Sequence, residues 1–190
     1  MSTPTERQYV SRAGLKLEHA LREFTIDPTG LCCADFGCNV GGFSDCLLHH
    51  GAAHVHAIDT GYGALAWTLR NDPRITVRER TNALFLTEEH VAVGAPFDLI
   101  VIDLGWTPQA SAIPAALRWI RPEGSIITLI KPHYEYTARE HGRRLPKGGL
   151  PDDETERVLH ETLEALPAMG VEVVAWCESP LRGGKSGKGS

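Results

Sequence analysis

Apolar residues recur along this chain with two periods, one typical of β-strands and one typical of α-helices. Runs of strand length occur at residues 31–36, 54–58, 75–78, 97–102, 125–130 and 171–176. Before and between them lie segments in which apolar residues recur with helical spacing, at residues 11–24, 42–50, 64–70, 110–120 and 153–169. Because alternating strands and helices favour a parallel sheet covered on both faces, we predict an α/β, Rossmann-like fold with a mostly parallel, twisted sheet.

Three segments carry finer predictions. Residues 97–102 are almost wholly apolar, which is typical of a strand buried on both faces, whereas polar residues within 75–78 indicate an edge strand. The N-terminal helix is expected to begin at Ser11, whose hydroxyl can cap it. The stretch between residues 130 and 153 is rich in Gly, Pro and Arg, and we predict a long loop there.

The composition fits one domain. The chain has 190 residues, of which 42% are hydrophobic, and a chain of this length can bury a core without disulfides. We assign residues 1–182 to a single domain. Residues 183–190 contain only Gly, Lys and Ser, and we assign them to a flexible tail. The five cysteines, the polar N-terminus and the absence of long apolar runs indicate a cytoplasmic protein with reduced thiols and no membrane contact.

A glycine-rich loop follows the first predicted strand. Residues 35–43 read D-F-G-C-N-V-G-G-F and include Asp35, Gly37, Gly41 and Gly42. Glycines let a backbone approach a ligand closely, and the N-terminus of the next helix attracts a carboxylate. Asp59 ends the second strand, where an acid can accept hydrogen bonds from ribose hydroxyls. These features indicate a nucleotide-like cofactor at the carboxyl edge of the sheet.

The spacing of this loop favours S-adenosylmethionine over a dinucleotide. A pyrophosphate requires G-x-G-x-x-G, whereas this loop has D-x-G-x-x-x-G-G. An acid within the loop suits a ligand with an amino acid end, because Asp35 can face its ammonium while the helix start meets its carboxylate. Two alternatives stay open, a nicotinamide cofactor and glycines that only form a tight turn.

Several short strings resemble a known family. They are YVSRAGLKL at 9–17, GGFSDCLL at 41–48, DTGYG at 59–63 with LAW at 65–67, RTNA at 80–83, IKP at 130–132 with Glu135, and KGG at 147–149. Over residues 9–180 the chain resembles the hemolysin/TlyA family, relatives of the FtsJ-like (RrmJ-type) RNA ribose methyltransferases. The resemblance implies a seven-stranded methyltransferase fold, S-adenosylmethionine as methyl donor, and the ribose 2′-hydroxyl of ribosomal RNA as acceptor.

Parts of the family pattern differ in this chain. Family members begin with an S4-type RNA-binding domain, whereas eight residues precede the match here, so we expect the methyltransferase domain without the S4 domain. The family chain also continues into a last strand with a glutamate. The sheet is therefore expected either to re-pair its edge or to lack this strand. Leu104-Gly105-Trp106 stands where Val-Ser-Phe is typical.

Charged residues end two strands that are predicted to be neighbours. Asp103 ends the fourth strand, and Lys131 follows the apolar run of the fifth, an unusual position for an ammonium group outside a site. A lysine suits methyl transfer to a hydroxyl because it can accept the proton or stabilise the alkoxide. The alternative is an ion pair that only ties the sheet together.

The resemblance extends this assignment to individual residues. Lys16, Asp103 and Lys131 correspond to three members of the Lys-Asp-Lys-Glu set of FtsJ-type enzymes, although Lys16 could equally be a surface lysine. The residues expected to bind the cofactor are Asp35, Gly37, Gly41, Gly42, Phe43, Asp59, Asn82 and Asp103. The cysteines and histidines of residues 33–56 lack the spacing of a zinc site, so no metal is expected.

Charge is segregated along the chain, and its net value is −5. Acidic residues crowd residues 151–166, whereas the basic residues expected to contact RNA phosphates are Arg7, Arg12, Arg139, Arg143, Arg144 and Lys147. The leading hypothesis is an RNA 2′-O-methyltransferase that acts on ribosomal RNA or a ribosomal particle. The alternatives are a catalytically inactive S-adenosylmethionine-binding module that acts through a partner, and a small-molecule O-methyltransferase.

Overall fold

A computed structural model describes residues 9–91, 95–139 and 149–181. The strands are β1 (Cys32–Phe36), β2 (His54–Ile58), β3 (Ile75–Arg78), β4 (Phe97–Ile102) and β5 (Ile120–Thr128). The helices are α1 (Ala13–Glu23), α2 (Gly42–His49), α3 (Trp67–Arg70), α4 (Glu88–Val91), α5 (Gln109–Leu117), α6 (Pro132–Arg139) and α7 (Asp152–Ala165). Two short 3₁₀ turns complete the described elements, Ala83–Phe85 and Leu166–Met169.

The five strands form one parallel sheet in the order β3-β2-β1-β4-β5. β1 lies in the centre, and its last residue, Phe36, is level with Ile58 of β2 and Ile102 of β4. The strand order reverses between β1 and β4, and in such sheets ligands bind in the crevice beyond the carboxyl ends of these strands. The predicted Rossmann-like class, the edge position of β3 and the internal position of β4 are confirmed.

Helices cover both faces of the sheet. On one face, Leu17 of α1 and Leu47 of α2 pack in a cluster with Leu99 of β4. On the other face, Ile113 of α5 packs in a second cluster with Ile100 of β4. Consecutive residues of β4 therefore face opposite clusters, as expected for a strand buried on both sides.

The close contact between α1 and α2 depends on a glycine. A Cβ atom on Gly42 would lie 2.2 Å from Ser11 Oγ, so only glycine lets the start of α1 approach α2 this closely. Asp45 of α2 adds a polar anchor, because its Oδ2 accepts a hydrogen bond from Val10 N–H at 2.8 Å. The predicted cap at Ser11 is wrong: the cap residue is Arg12, without a side-chain capping bond, and the Ser11 side chain packs against α2 instead.

The predicted strand at residues 171–176 does not form. Val171 and Val173 pack against the second core cluster, whereas Val174 is 88% exposed. The alternation of Val171, Glu172 and Val173 predicts one buried face, and packing against the second core cluster buries that face in part, without a hydrogen-bonded neighbouring strand among the described residues. The described residues thus contain five strands, where the family resemblance implies seven.

Helix α6 occupies the first part of the predicted long loop. It begins at Pro132, and proline suits the first helical position because that residue needs no N–H partner. α3 begins at Trp67, three residues later than predicted, and β5 begins at Ile120, five residues earlier than predicted. Among the described helices, none has the length and apolar character needed to cross a membrane. The predicted tail, residues 183–190, lies outside the described residues, and the assignment of one domain to 1–182 stays a prediction.

Candidate active site

The loop between β1 and α2 requires two of its glycines for its own conformation. Gly37 has φ 89° and Gly41 has φ 101°, in the left-handed region that disfavours other residues. A Cβ atom on Gly37 would lie 2.9 Å from the backbone oxygen of Asp103, so this glycine also lets the ends of β1 and β4 approach each other. The tight turn accounts for both glycines, and their contact with a cofactor stays a prediction.

Asp35 is completely buried at the carboxyl end of β1. Its Oδ2 accepts hydrogen bonds from the Ser44 backbone N–H at 2.9 Å and from the Ser44 hydroxyl at 2.7 Å. Its Oδ1 has no hydrogen-bond partner among the described residues. Burial raises the pKa of this carboxyl to about 7, in opposition to the Ser44 hydrogen bonds, which lower it. Asp35 therefore holds the first turn of α2 with one oxygen and leaves the other available.

We predict that Asp35 makes the free energy of unfolding fall as the pH rises. The pKa of its carboxyl is about 7 in the folded protein against an ordinary 3.8, so between these values the folded state keeps a proton that the unfolded chain has released. At about 1.4 kcal/mol per pKa unit, the loss is on the order of 4 kcal/mol. Asp35→Asn keeps an acceptor for Ser44 and is expected to flatten this slope in thermal unfolding followed across the same pH range.

The matched control for this prediction is Asp153→Asn, which changes an exposed acid of α7. We expect the parental slope in the control. A parental slope in Asp35→Asn would contradict the assignment of the buried proton to Asp35.

Asp59 joins the loops that follow β1 and β2. Its Oδ2 accepts a hydrogen bond from Asn39 N–H at 2.9 Å, and its Oδ1 accepts one from Gly61 N–H at 2.7 Å. Asn82, after β3, caps the turn Ala83–Phe85 through its side-chain oxygen, which accepts from Leu84 N–H at 3.0 Å. Asp59 and Asn82, which are both predicted to bind the cofactor, thus lie in loops at the carboxyl edge of the sheet.

Phe43 and Gly42 contribute mainly to packing. The Phe43 side chain is 5% exposed and belongs to the first core cluster. Gly42 has no side chain, which leaves room for the start of α1. The glycine-rich loop predicts Gly42 at the cofactor site, and Phe43 is the last residue of the same run. In this structure, the packing of α2 accounts for both residue types, and a contact with the cofactor stays a prediction.

Asp103 and Lys131 meet beyond the ends of β4 and β5. Lys131 Nζ forms an ion pair with Asp103 Oδ1, and it also donates a hydrogen bond to the Leu104 backbone oxygen at 3.0 Å. About one fifth of each charged side chain is exposed, so the pair is reachable from solvent. Lys16 lies half-buried on α1 and forms no hydrogen bond or ion pair with any residue that the structure describes. The structure thus brings together two of the three predicted catalytic residues.

Several residues around this pair carry no role in the prediction from the sequence. Trp106 is 79% exposed and its ring lies 4.8 Å from that of Tyr134, which in turn lies 5.5 Å from Lys131 Nζ. Glu135 is buried and accepts a hydrogen bond from Gln109 N–H at 2.8 Å. The signal for Trp106 was an aromatic residue in the loop four residues after the end of β4. The sequence contains no comparable signal for the contact between Glu135 and α5.

Strained backbone collects at the same edge of the sheet. Asn39, Arg80 and Trp106 have φ angles of 48°, 53° and 56°, in the left-handed region that costs a non-glycine residue about 1 kcal/mol. They lie in the loops after β1, β3 and β4, respectively. Such strain persists where surrounding contacts hold the backbone, and it is frequent at functional sites.

The predicted RNA-contacting residues are only partly described. Arg12 is exposed beside α1. Arg139 instead pairs with Glu161 and donates a hydrogen bond to Thr162 Oγ1 at 2.8 Å, so its guanidinium ties α6 to α7. The others lie outside the described residues: Arg7, Arg143, Arg144 and Lys147.

The thiols and imidazoles of this region do not form a metal site. None of the five cysteines, all of which the structure describes, forms a disulfide, and burial raises the pKa of Cys33 to about 12. Within the described ranges, no group of three or more His, Cys, Asp or Glu side chains is placed to hold a metal ion.

Known proteins share this sequence and fold. A family model described as FtsJ-like methyltransferase matches residues 9–187. The 16S/23S rRNA (cytidine-2′-O)-methyltransferase TlyA of Mycobacterium tuberculosis is 48% identical over 133 residues, which are 70% of this chain and 49% of that protein. Hemolysin A of Brachyspira hyodysenteriae is 36% identical over 180 residues, which are 94% of this chain and 73% of that protein. The chain thus spans about half the length of the mycobacterial relative.

A solved structure supports the same relationship. The crystal structure of a "putative hemolysin" from Lactococcus lactis has a TM-score of 0.84 and 31% sequence identity, and the match covers 94% of this chain and 84% of that one. Since the family model also matches nearly the whole chain, this protein belongs to the FtsJ-like methyltransferase family.

Proposed function

We propose that this chain transfers a methyl group from S-adenosylmethionine to a ribose 2′-hydroxyl of ribosomal RNA. The observation that carries the proposal is the contact between Lys131 and Asp103 beyond the ends of β4 and β5, beside the crevice where ligands of such sheets bind. Family membership supports the reaction class. The name of the mycobacterial relative, which specifies cytidine 2′-O-methylation of 16S and 23S rRNA, supports the substrate.

The loops after β1 and β2 suit the methyl donor. Each carboxylate oxygen of Asp59 accepts one backbone N–H and keeps a second lone pair, so Asp59 would accept the ribose hydroxyls. Asp35, whose Oδ1 has no hydrogen-bond partner among the described residues, adds a buried carboxyl close to α2. Asn82 would contribute from the loop after β3. When bound, S-adenosylmethionine supplies an electrophilic methyl group on a sulfonium.

The Lys131–Asp103 pair can prepare the acceptor hydroxyl. Methyl transfer requires the acceptor oxygen in line and the removal of its proton. An ammonium group has three N–H donors, and Lys131 directs donors to Asp103 and to the Leu104 backbone oxygen. A remaining N–H can therefore hold the acceptor oxygen and stabilise the charge that develops on it while its proton passes to solvent water. Asp103 orients Lys131 for this contact.

Aromatic rings in the loops at this edge of the sheet suit RNA as the acceptor. Trp106 and Tyr134 lie beside Lys131, and Tyr62, which is 72% exposed, lies under the Arg80 guanidinium at 4.1 Å. Aromatic faces next to cationic groups stack the bases of single-stranded nucleic acids. A small-molecule acceptor requires an enclosed pocket that buries most of its surface, and this open arrangement favours RNA over such an acceptor.

Turnover with labelled S-adenosylmethionine in the presence and absence of total RNA tests this proposal. We expect label in the RNA fraction and none in reactions without RNA or with nuclease-digested RNA. Transfer that persists without RNA would favour a small-molecule methyltransferase. A protein that binds the donor tightly but transfers no label to any RNA would favour the binding-module alternative.

RNA affinity is expected to fall steeply with salt. Each phosphate contact lowers the logarithm of the binding constant by about 0.7–0.9 per tenfold increase in salt, so three contacts lower the affinity roughly 20- to 40-fold between 50 and 200 mM salt. Arg12→Gln is expected to reduce this slope by about one contact. The control is Arg157→Gln, because Arg157 pairs with Glu154 and Glu161 on α7. An affinity that stays flat across this salt range would contradict RNA as the ligand.

A further inference from the structure

The loop that connects β4 to α5 carries one member of the charged pair. It begins with Asp103 at the end of β4 and leads to Gln109, the first residue of α5. Pro108, the residue before α5, contributes no side-chain hydrogen bond to the helix start. The first N–H groups of a helix need acceptors from elsewhere. The far end of this loop is therefore held by acceptors from outside α5.

Glu135 of α6 supplies the missing acceptor. Its Oε1 accepts the hydrogen bond from Gln109 N–H at 2.8 Å, and both side chains are buried, with 4% and 3% exposure. The Gln109 side chain continues the network, because its Oε1 accepts a hydrogen bond from Thr128 Oγ1 at 2.8 Å. Thr128 is the last residue of β5, so the start of α5 is tied to both α6 and β5.

Residues 131–135, at the start of α6, contact the loop at three points. Lys131 donates to the Leu104 oxygen at the beginning of the loop, the Tyr134 ring packs against Trp106 in its middle, and Glu135 accepts from Gln109 at its end. Trp106 has a left-handed backbone with φ 56°, and such a strained conformation persists only where neighbouring contacts fix it.

We propose that Glu135 is a positioning residue of the methyl-transfer site, which acts by fixing the loop 103–109 and thereby the geometry of Asp103 against Lys131. This inference rests on the proposed function. Glu135 does not touch the acceptor in this account, since its carboxylate is buried against the start of α5. Burial raises the pKa of the Glu135 carboxyl, and the hydrogen bond from Gln109 opposes this rise, so the buried acid depends on that contact.

Two substitutions separate the hydrogen bond from simple packing. Glu135→Leu keeps a side chain of similar size and removes the acceptor, whereas Glu135→Gln keeps an oxygen that can accept from Gln109. A displacement of about 1 Å at a reacting group can cost roughly 100-fold in rate. We therefore expect Glu135→Leu to lower kcat at least about 10-fold with the donor Kd unchanged, and Glu135→Gln to restore most of the parental kcat.

The matched control is Asp98→Leu at the opposite edge of the sheet. Asp98 Oδ2 accepts a hydrogen bond from Cys32 N–H at 2.8 Å, so this change also removes a carboxylate that holds the backbone at the end of an element. We expect Asp98→Leu to lower the melting temperature while kcat stays parental at a temperature where all variants are folded. Equal losses of kcat in Asp98→Leu and Glu135→Leu would reduce the role of Glu135 to stability and overturn the proposal.

Hydrogen exchange of the peptide that covers residues 103–109 provides a readout that does not depend on activity. Faster exchange of this peptide in Glu135→Leu, with parental exchange in Glu135→Gln, is expected. Parental exchange and parental kcat in Glu135→Leu would overturn the proposal, as would a Glu135→Gln variant as impaired as Glu135→Leu. If the parent transferred no methyl group to RNA, the proposed function would fail, whereas the exchange experiment would still decide whether Glu135 holds the loop.

Discussion

Replacement of Lys131 by alanine is expected to abolish methyl transfer to RNA while the affinity for S-adenosylmethionine stays close to parental. Lys131 Nζ lies between Asp103 and the Leu104 backbone oxygen, so its removal takes away the group that would hold the acceptor oxygen. The removal of one donor that stabilises a developing oxyanion lowers kcat about 10²- to 10³-fold, and we expect a loss in this range. Single-turnover kinetics and calorimetry with the donor would measure the two effects separately.

The arginine variant adds a sharper test of the same residue. Lys131→Arg keeps the positive charge, but its planar fork does not reproduce the contacts of an ammonium group with Asp103 and the Leu104 oxygen. We therefore expect this variant to fail as well. A Lys131→Ala protein that methylated RNA at the parental rate would contradict the mechanism, and the Lys131–Asp103 contact would then only tie the sheet.

Removal of the Asp59 carboxylate is expected to weaken donor binding. The loss of a hydrogen-bond partner for the ribose costs about 1–3 kcal/mol, which corresponds to roughly a 5- to 150-fold rise in Kd. Asp59→Ala also releases Asn39 N–H and Gly61 N–H, so part of the effect would come from movement of the two loops. Calorimetric titration with S-adenosylmethionine would measure the change.

A control at a similar turn keeps this prediction specific. Asp72 accepts a hydrogen bond from Arg74 N–H at 2.8 Å, two residues further along the chain, as Asp59 does from Gly61. Asp72→Ala removes such a turn outside the candidate site and is expected to leave the donor Kd unchanged. Parental affinity in Asp59→Ala would show that the ribose binds elsewhere.

The sheet was largely predictable from the sequence, for a physical reason. Strands such as 54–58, 75–78 and 97–102 consist of short runs rich in apolar residues, which only a sheet can bury at that length, and the structure reproduces these three ranges. Residues 171–176 form a similar run rich in apolar residues, but they pair with no strand among the described residues. The pattern reports which side of a segment is buried, whereas pairing depends on distant parts of the chain.

The sequence predicted those contacts of the candidate site that join residues at the ends of neighbouring strands. Asp103 and Lys131 follow adjacent parallel strands, so their contact could be expected from topology. The partners of buried acids could not be expected in the same way. The contacts of Asp35 with Ser44 and of Glu135 with Gln109 depend on how helices pack against the sheet. The placement of Lys16 by family resemblance remains a prediction.

Alkaline hydrolysis of ribosomal RNA after incubation with labelled S-adenosylmethionine tests the central claim most directly. Alkali cleaves RNA through a free 2′-hydroxyl, so a 2′-O-methyl group leaves an uncleaved dinucleotide. We expect the label in alkali-resistant dinucleotides after reaction with the parent and its absence after reaction with Lys131→Ala. Label recovered in mononucleotides, or no transfer by a parent that binds the donor, would contradict the proposed 2′-O-methyltransferase.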